Sequence, residues 1–168
     1  MDIEAQLAAI GGLGAMFEGE RIEYWIFGGW AVDFHVGHVT REHADIDIAV
    51  WQADLEAIGA LLVADGWARS AEPGEDGYTT YRRNSLNMDL AYLARGELDT
   101  VYTPLASGCG EWPPHSFGPE VRELAGTRAH VVSFASLLAD KSVRRDDLAT
   151  AVKDAADVAV LRSASGSR

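Results

Sequence analysis

Cysteine is almost absent from this chain. Cys109 is the only one in 168 residues, so no internal disulfide is possible, and a reducing, cytoplasmic setting is expected. Long apolar runs are missing too. No stretch approaches the ~20 consecutive apolar residues of a membrane-spanning helix, so no membrane contact is expected. The start carries Asp2 and Glu4 rather than the basic residues of a secretory signal. Positive charge is scarce, with 14 Lys and Arg against 26 Asp and Glu and a net charge of −12. The imbalance sits at the front. Residues 1–120 hold 6 Lys/Arg and 20 Asp/Glu, a net −14, whereas residues 121–168 hold 8 and 6, a net +2. A surface of this sign repels nucleic acid and attracts cations. No nucleic-acid partner is expected, and metal ions and cationic small molecules are. A Walker phosphate loop, zinc-ligand spacing and a nucleophile elbow are absent, which removes those chemistries. There is no internal repeat.

The chain has the length and the 48% apolar content of one soluble domain, or of one domain with a short helical appendage. Ile3, Leu7, Ile10, Leu13 and Phe17 recur at helical spacing behind Asp2, a plausible N-cap. Tyr24 to Phe27 reads as a buried strand, Trp30 to Val36 as a short helix, and Asp45 to Val50 as a strand with one polar face. Asp54 is expected to cap a helix running to Asp65. Tyr78–Arg83 and Leu86–Leu93 flank Asn84-Ser85 as a hairpin would. Residues 104–120 hold four of the five prolines and read as a long irregular loop. Arg128–Val132 is a further candidate strand. Ser133 is expected to cap a helix ending at Lys141, and a last helix spans Asp146 to Arg162. The order implies an α/β (α+β) fold with a mixed sheet, since the hairpin demands antiparallel pairing. The expected units are a core over 1–132, C-terminal helices over 133–162 and a flexible tail over 163–168.

The chemistry concentrates in two short segments. Gly28-Gly29 turns the chain into a helix, and backbone amides at such a start cradle phosphate. Asp45 and Asp47 stand two apart on a strand and so share a face. There they can hold one or two hard cations such as Mg²⁺. Asp89, on the second hairpin strand, is a third carboxylate if that strand lies beside the first. A solvated strand face would explain Asp45 and Asp47 alone. The glycine turn nearby, and three aspartates in strands that disfavour them, point instead to phosphate chemistry.

Gly28-Gly29-Trp30-Ala31-Val32-Asp33, followed by Thr40-Arg41-Glu42-His43-Ala44-Asp45-Ile46-Asp47, resembles the signature of the polymerase-β-like nucleotidyltransferases. It is most similar to the small enzymes that adenylylate aminoglycosides at the 2″-hydroxyl or modify lincosamides. The resemblance is strong over about residues 20–50 and fades beyond about residue 93. It implies that Asp45 and Asp47 hold the metal of a nucleoside triphosphate, expected to be ATP. Asp89 is implied as metal ligand or general base. Gly28 and Gly29 would meet the phosphates, and Lys141 would reach the triphosphate. Arg41 and His43 would line the same pocket, Arg41 pairing with a phosphate or with the aspartates and His43 orienting a carboxylate; the alternative for His43 is a structural hydrogen bond that holds the loop. Trp30 and Asp33 are expected to pack and brace the motif, and Lys153 to lie on the surface. The acceptor is expected to be a cationic small molecule, an aminoglycoside first and a lincosamide second, held by Asp76 and Glu111. A toxin-like enzyme acting on RNA or protein, or a non-catalytic nucleotide-binding relative, are the alternatives. The expected assembly is a monomer or a homodimer.

Overall fold

The Asp2 carboxylate accepts a hydrogen bond from the Ala5 amide at 3.0 Å and starts helix α1 (Ile3–Gly19), whose Leu7, Ile10, Leu13 and Phe17 turn inward. The computed structural model describes residues 2–70, 77–106 and 108–165. Strand β1 (Tyr24–Ile26) is buried throughout and leads into α2 (Gly28–Val36), which ends at the left-handed Gly37. Strand β2 (Ile46–Trp51) follows, then α3 (Leu55–Ala64). The short β3 (Ala68–Arg69) comes before β4 (Tyr78–Arg83) and β5 (Leu86–Arg95), which turn at Asn84-Ser85 as expected.

The sheet runs β1-β2-β5-β4-β3. Among the strands of the described residues, only β2 and β5 form a parallel ladder; their neighbours pair antiparallel. The fold is thus α/β with a mixed, mostly antiparallel sheet. Ile46, Ile48, Met88 and Leu90 are buried on one face, so the alternate residues, Asp47 and Asp89 among them, stand on the other. That single alternation seals the core and delivers the carboxylates to one side.

Two segments depart from the sequence reading. The stretch expected as an irregular loop over 104–120 begins as a hairpin. Strand β6 (Val101–Leu105) pairs with the end of β5 and with β7 (Gly108–Glu111). Pro104 is accommodated there because an edge hairpin does not require its missing N–H. Strand β8 (Val121–Leu124) was not expected at all. It pairs with β9 (Thr127–His130) across Ala125-Gly126, both at positive φ, as a tight two-residue hairpin turn requires.

Ser133 caps α4 (Phe134–Lys141) by accepting from the Ser136 amide at 3.3 Å. Helix α5 (Leu148–Ser165) runs three residues past the expected end, so Ser163–Ser165 are helical rather than tail. Asp54 precedes α3 without a side-chain cap. Both C-terminal helices pack on α2, which places the C-terminal end of α4 and the start of α5 beside the aspartates.

Candidate active site

The parallel pairing of β2 with β5 aligns Asp47 with Asp89. Asp45 lies just ahead of β2 on the same side. All three line one cavity of about 870 Å³. Gly28 closes one wall, and α4 and the start of α5 close another through Asp140, Lys141, Arg145 and Thr150. The third wall is Tyr78 and Thr80 of β4 with Thr103, Leu105, Glu111, Trp112 and Pro113. Phe27, Tyr78 and Trp112 make that wall aromatic, with ring centroids 5.5 Å apart for Phe27 and Trp112. The volume lies in the range of small-molecule sites.

Gly28 sits at φ +64°, and a Cβ there would come within 1.9 Å of Asp47 Oδ2. The glycine lets α2 begin against the carboxylate. No side chain caps α2 at Phe27, so its first-turn amides look towards the same region. Gly29 faces the other way, where a Cβ would meet His43 Nδ1 at 2.4 Å and Arg41 Nη2 at 2.7 Å.

Electrostatically the cavity floor is crowded with like charge. Burial, then Asp45 and Asp89, push the Asp47 carboxyl up to about 8, with Lys141 opposing. Burial and Asp89 also raise Asp45, against Lys153, His43 and Arg41. Thr80 Oγ1 donates to Asp89 Oδ1 at 2.5 Å and orients it. Among the described residues, no three His, Cys, Asp or Glu side chains converge into a ready metal cage. The donor set nevertheless fits a hard cation, since buried carboxylates that suppress one another's ionisation are what a divalent ion relieves.

This crowding has a consequence for stability. Asp47 favours its neutral form in the folded chain. Its contribution is therefore fully present below the unfolded value of about 4 and is lost as pH rises towards about 8. Burial raises Asp154, but the hydrogen bonds and charges of Arg145 and Lys141 together lower it, so its effect falls below that window. In a chelating buffer, the wild type is expected to lose melting temperature between about pH 5 and pH 8 relative to Asp47→Asn. Parallel melting curves for the two proteins would exclude the crowding.

Arg41 and His43 were expected in the cavity wall. The structure instead places them behind it. His43 is 2% exposed, and its ring packs tilted by 44° against the buried Trp30 with centroids 4.6 Å apart. Arg41 Nη1 lies 3.0 Å from His43 Nδ1, and a guanidinium can only donate. His43 Nδ1 is therefore the acceptor, and Nε2–H donates to Asp33 Oδ2 at 2.6 Å. The other Asp33 oxygen accepts from the Thr40 amide at 3.1 Å and hydroxyl at 2.5 Å. Asp33 and Trp30 thus brace the motif, and Lys153 is exposed, all as expected.

Lys141 does reach the cavity wall. Its ammonium is 2.9 Å from Asp154 and 3.3 Å from Asp157, two buried carboxylates on α5. Burial alone would lower Lys141, but Asp154 and Asp157 hold it above its ordinary value. Asp157 also accepts from Arg41 Nε and Nη2, both at 3.1 Å. The sequence reading gave Asp154 and Asp157 no role in the site. Their signal was two acids three apart, on one helix face with Leu161. Glu111 lies exposed at the rim, whereas Asp76 lies outside the described residues.

The chain matches the aminoglycoside-2″-adenylyltransferase family over residues 10–159. It is 49% identical over 41 residues to a 2″-aminoglycoside nucleotidyltransferase of Escherichia coli, a stretch covering 23% of each protein. A lincosamide resistance protein of Staphylococcus haemolyticus is 52% identical over 33 residues, 20% of each. The aligned stretches therefore span about a fifth to a quarter of these relatives' length. The fold resembles that of ANT(2″)-Ia in complex with adenylyl-2″-tobramycin, with TM-score 0.67, 23% identity and 98% of each chain covered. It also resembles the lincomycin-bound lincosamide adenylyltransferase LnuA, with TM-score 0.70, 19% identity, and 89% of this chain and 92% of that one covered. With the glycine turn, the paired aspartates and the sheet all in accord with a match across most of its length, this chain belongs to the aminoglycoside-2″-adenylyltransferase family.

Proposed function

We propose that the protein is a metal-dependent nucleotidyltransferase. It moves a nucleoside monophosphate, AMP in the reading we favour, from a nucleoside triphosphate to a hydroxyl of a small-molecule antibiotic. The observation that carries this is the Asp47–Asp89 register, which gathers three carboxylates on one cavity floor opposite Lys141. The acceptor oxygen bonds to the α-phosphorus, the bond from that phosphorus to its bridging oxygen breaks, and pyrophosphate departs. Mg²⁺, held by Asp45, Asp47 and Asp89, would neutralise phosphate oxygens and acidify the hydroxyl. Asp89, oriented by Thr80, takes the hydroxyl proton. Lys141 and the first amides of α2, beginning at Gly28, hold triphosphate charge. Gly29, Arg41 and His43 serve from behind, by fixing that turn.

Family membership and the acidic front of the chain favour an aminoglycoside acceptor. The aromatic wall of Phe27, Tyr78 and Trp112 favours a second reading, a lincosamide with an apolar face. A panel of labelled nucleoside triphosphates against tobramycin and lincomycin separates the two. No labelled product with either acceptor, under Mg²⁺, would defeat the assignment.

Acceptor binding is expected to weaken with salt. The Debye length falls from about 30 Å at 0.01 M to about 10 Å at 0.1 M, which screens exposed carboxylates such as Glu111. The acceptor's Michaelis constant should rise about threefold or more across that range, with nucleotide saturating and Mg²⁺ fixed. A salt-independent constant would sink the aminoglycoside preference and leave the transfer chemistry standing.

A further inference from the structure

Asp157 has an unusual position for a residue so far along the chain. Its carboxylate is 2% exposed and accepts from two cations on different elements. Arg41 presents a fork, with Nε and Nη2 each at 3.1 Å from one of its oxygens. Lys141 Nζ lies at 3.3 Å from Oδ2, the oxygen that Arg41 Nη2 also meets. Lys141 belongs to the cavity wall. Arg41 touches the back of the glycine turn, since a Cβ on Gly29 would meet its Nη2 at 2.7 Å. One buried carboxylate therefore spans the two sides of the cavity that carry donors for anionic oxygen.

The surrounding charges balance. Arg41, Lys141 and Arg145 face Asp140, Asp154 and Asp157 within one connected set. Lys141 would remain paired through Asp154 if Asp157 were lost. Among the described residues Arg41 has no second carboxylate at hydrogen-bond distance; its other partners are the Glu42 carbonyl and His43. The fork to Asp157 thus anchors the guanidinium, which in turn meets His43 Nδ1, on a ring also held by Asp33, and lies against Gly29.

We propose that Asp157 is a positioning residue for nucleotide. It acts through Arg41 to set the spacing between Lys141 and the Gly28-Gly29 turn. The proposal rests on the nucleotidyltransferase reading for what the spacing serves. It assigns Asp157 no contact with substrate. A geometric role differs in sign from a purely electrostatic one. If Asp157 only cancelled charge, its neutralisation would free positive potential and tighten triphosphate binding. If it sets geometry, neutralisation loosens binding.

The test uses the full chain and four proteins: wild type, Asp157→Asn, Arg41→Gln and the double variant. Each is first shown to be folded by circular dichroism. Binding of ATP with Mg²⁺ is measured by calorimetry, and steady-state constants are measured for ATP and for the acceptor that turns over. Each single variant is expected to raise the nucleotide constants about tenfold or more, with the acceptor constant within about twofold of wild type. The double variant should be no worse than the weaker single, because the two residues act through one link. Asp157→Glu, which keeps the charge, should recover part of the loss.

Folded variants that melt earlier but bind ATP like the wild type would reduce the pair to a structural staple and overturn the proposal. So would tighter binding in Asp157→Asn, or additive losses. Should the wild type neither bind nor turn over nucleotide, it is the nucleotidyltransferase reading that falls. The link is then decided by the His43 ring nitrogens in ¹⁵N spectra. Asp157→Asn should move them as Arg41→Gln does, and unmoved signals overturn the link.

Discussion

Replacing Asp47 by Asn is expected to cut nucleotide transfer by about a thousandfold or more while leaving a folded protein, and Asp45→Asn is expected to do the same. The two halves of this expectation come from the same geometry. Asp47 lies on the cavity floor against Gly28, where its ionised form is disfavoured by burial and by Asp45 and Asp89. In the free protein its charge is a burden on the fold, so an isosteric amide relieves repulsion instead of removing a stabilising contact. Under turnover conditions the same charge is what a divalent ion and a triphosphate need. A variant that melts at or above the wild-type temperature in chelator, yet releases almost no pyrophosphate with Mg²⁺, is the expected phenotype. The assay is pyrophosphate release by purified protein with saturating nucleotide and acceptor. A rate within about tenfold of wild type for either variant would remove these aspartates from the proposed metal site.

Much of this arrangement was legible in the sequence because its determinants are local. Asp45 and Asp47 share a side by the two-residue period of a strand, and the turn at Asn84-Ser85 sets the register that carries Asp89. That β5 lies beside β2, with Asp89 level with Asp47, required the structure. The reading was weaker where partners are distant. Arg41 and Asp157 are 116 residues apart, and only the docking of α5 on α2 brings them together. An arginine beside a catalytic-looking motif reads as a substrate contact, and an aspartate on a late helix reads as a solvated face. Both descriptions change once the two are buried against each other. The β6–β7 hairpin was hidden for a related reason. Pro104 and the three prolines that follow the hairpin signalled a loop, whereas pairing with the end of β5 supplied the strand.

The second large effect is expected at Asp89, and it should separate chemistry from binding. Along the cavity floor Asp89 lies between two sets of residues. Gly28, Asp45 and Asp47 are on one side, Tyr78 and Thr80 of the adjoining strand on the other, with Trp112 beyond. In the proposed function the first set serves the triphosphate and the second faces the acceptor. Asp89 is then the carboxylate nearest to where the acceptor hydroxyl must arrive. Thr80 Oγ1 occupies Oδ1 at 2.5 Å, which orients the group and leaves Oδ2 for the reacting proton. Asp89→Ala is expected to lower the transfer rate by about a thousandfold or more while the ATP dissociation constant stays within about fivefold of wild type, since Asp45, Asp47 and Lys141 remain. Thr80→Val should cost far less, about tenfold, because it misorients the base without deleting it. Calorimetry with Mg²⁺ and a non-hydrolysable triphosphate reads the binding, and single-turnover transfer reads the chemistry. An Asp89→Ala enzyme that transfers at the wild-type rate would hand the proton to another carboxylate. One that no longer binds nucleotide would make Asp89 a holder of the triphosphate and not the base.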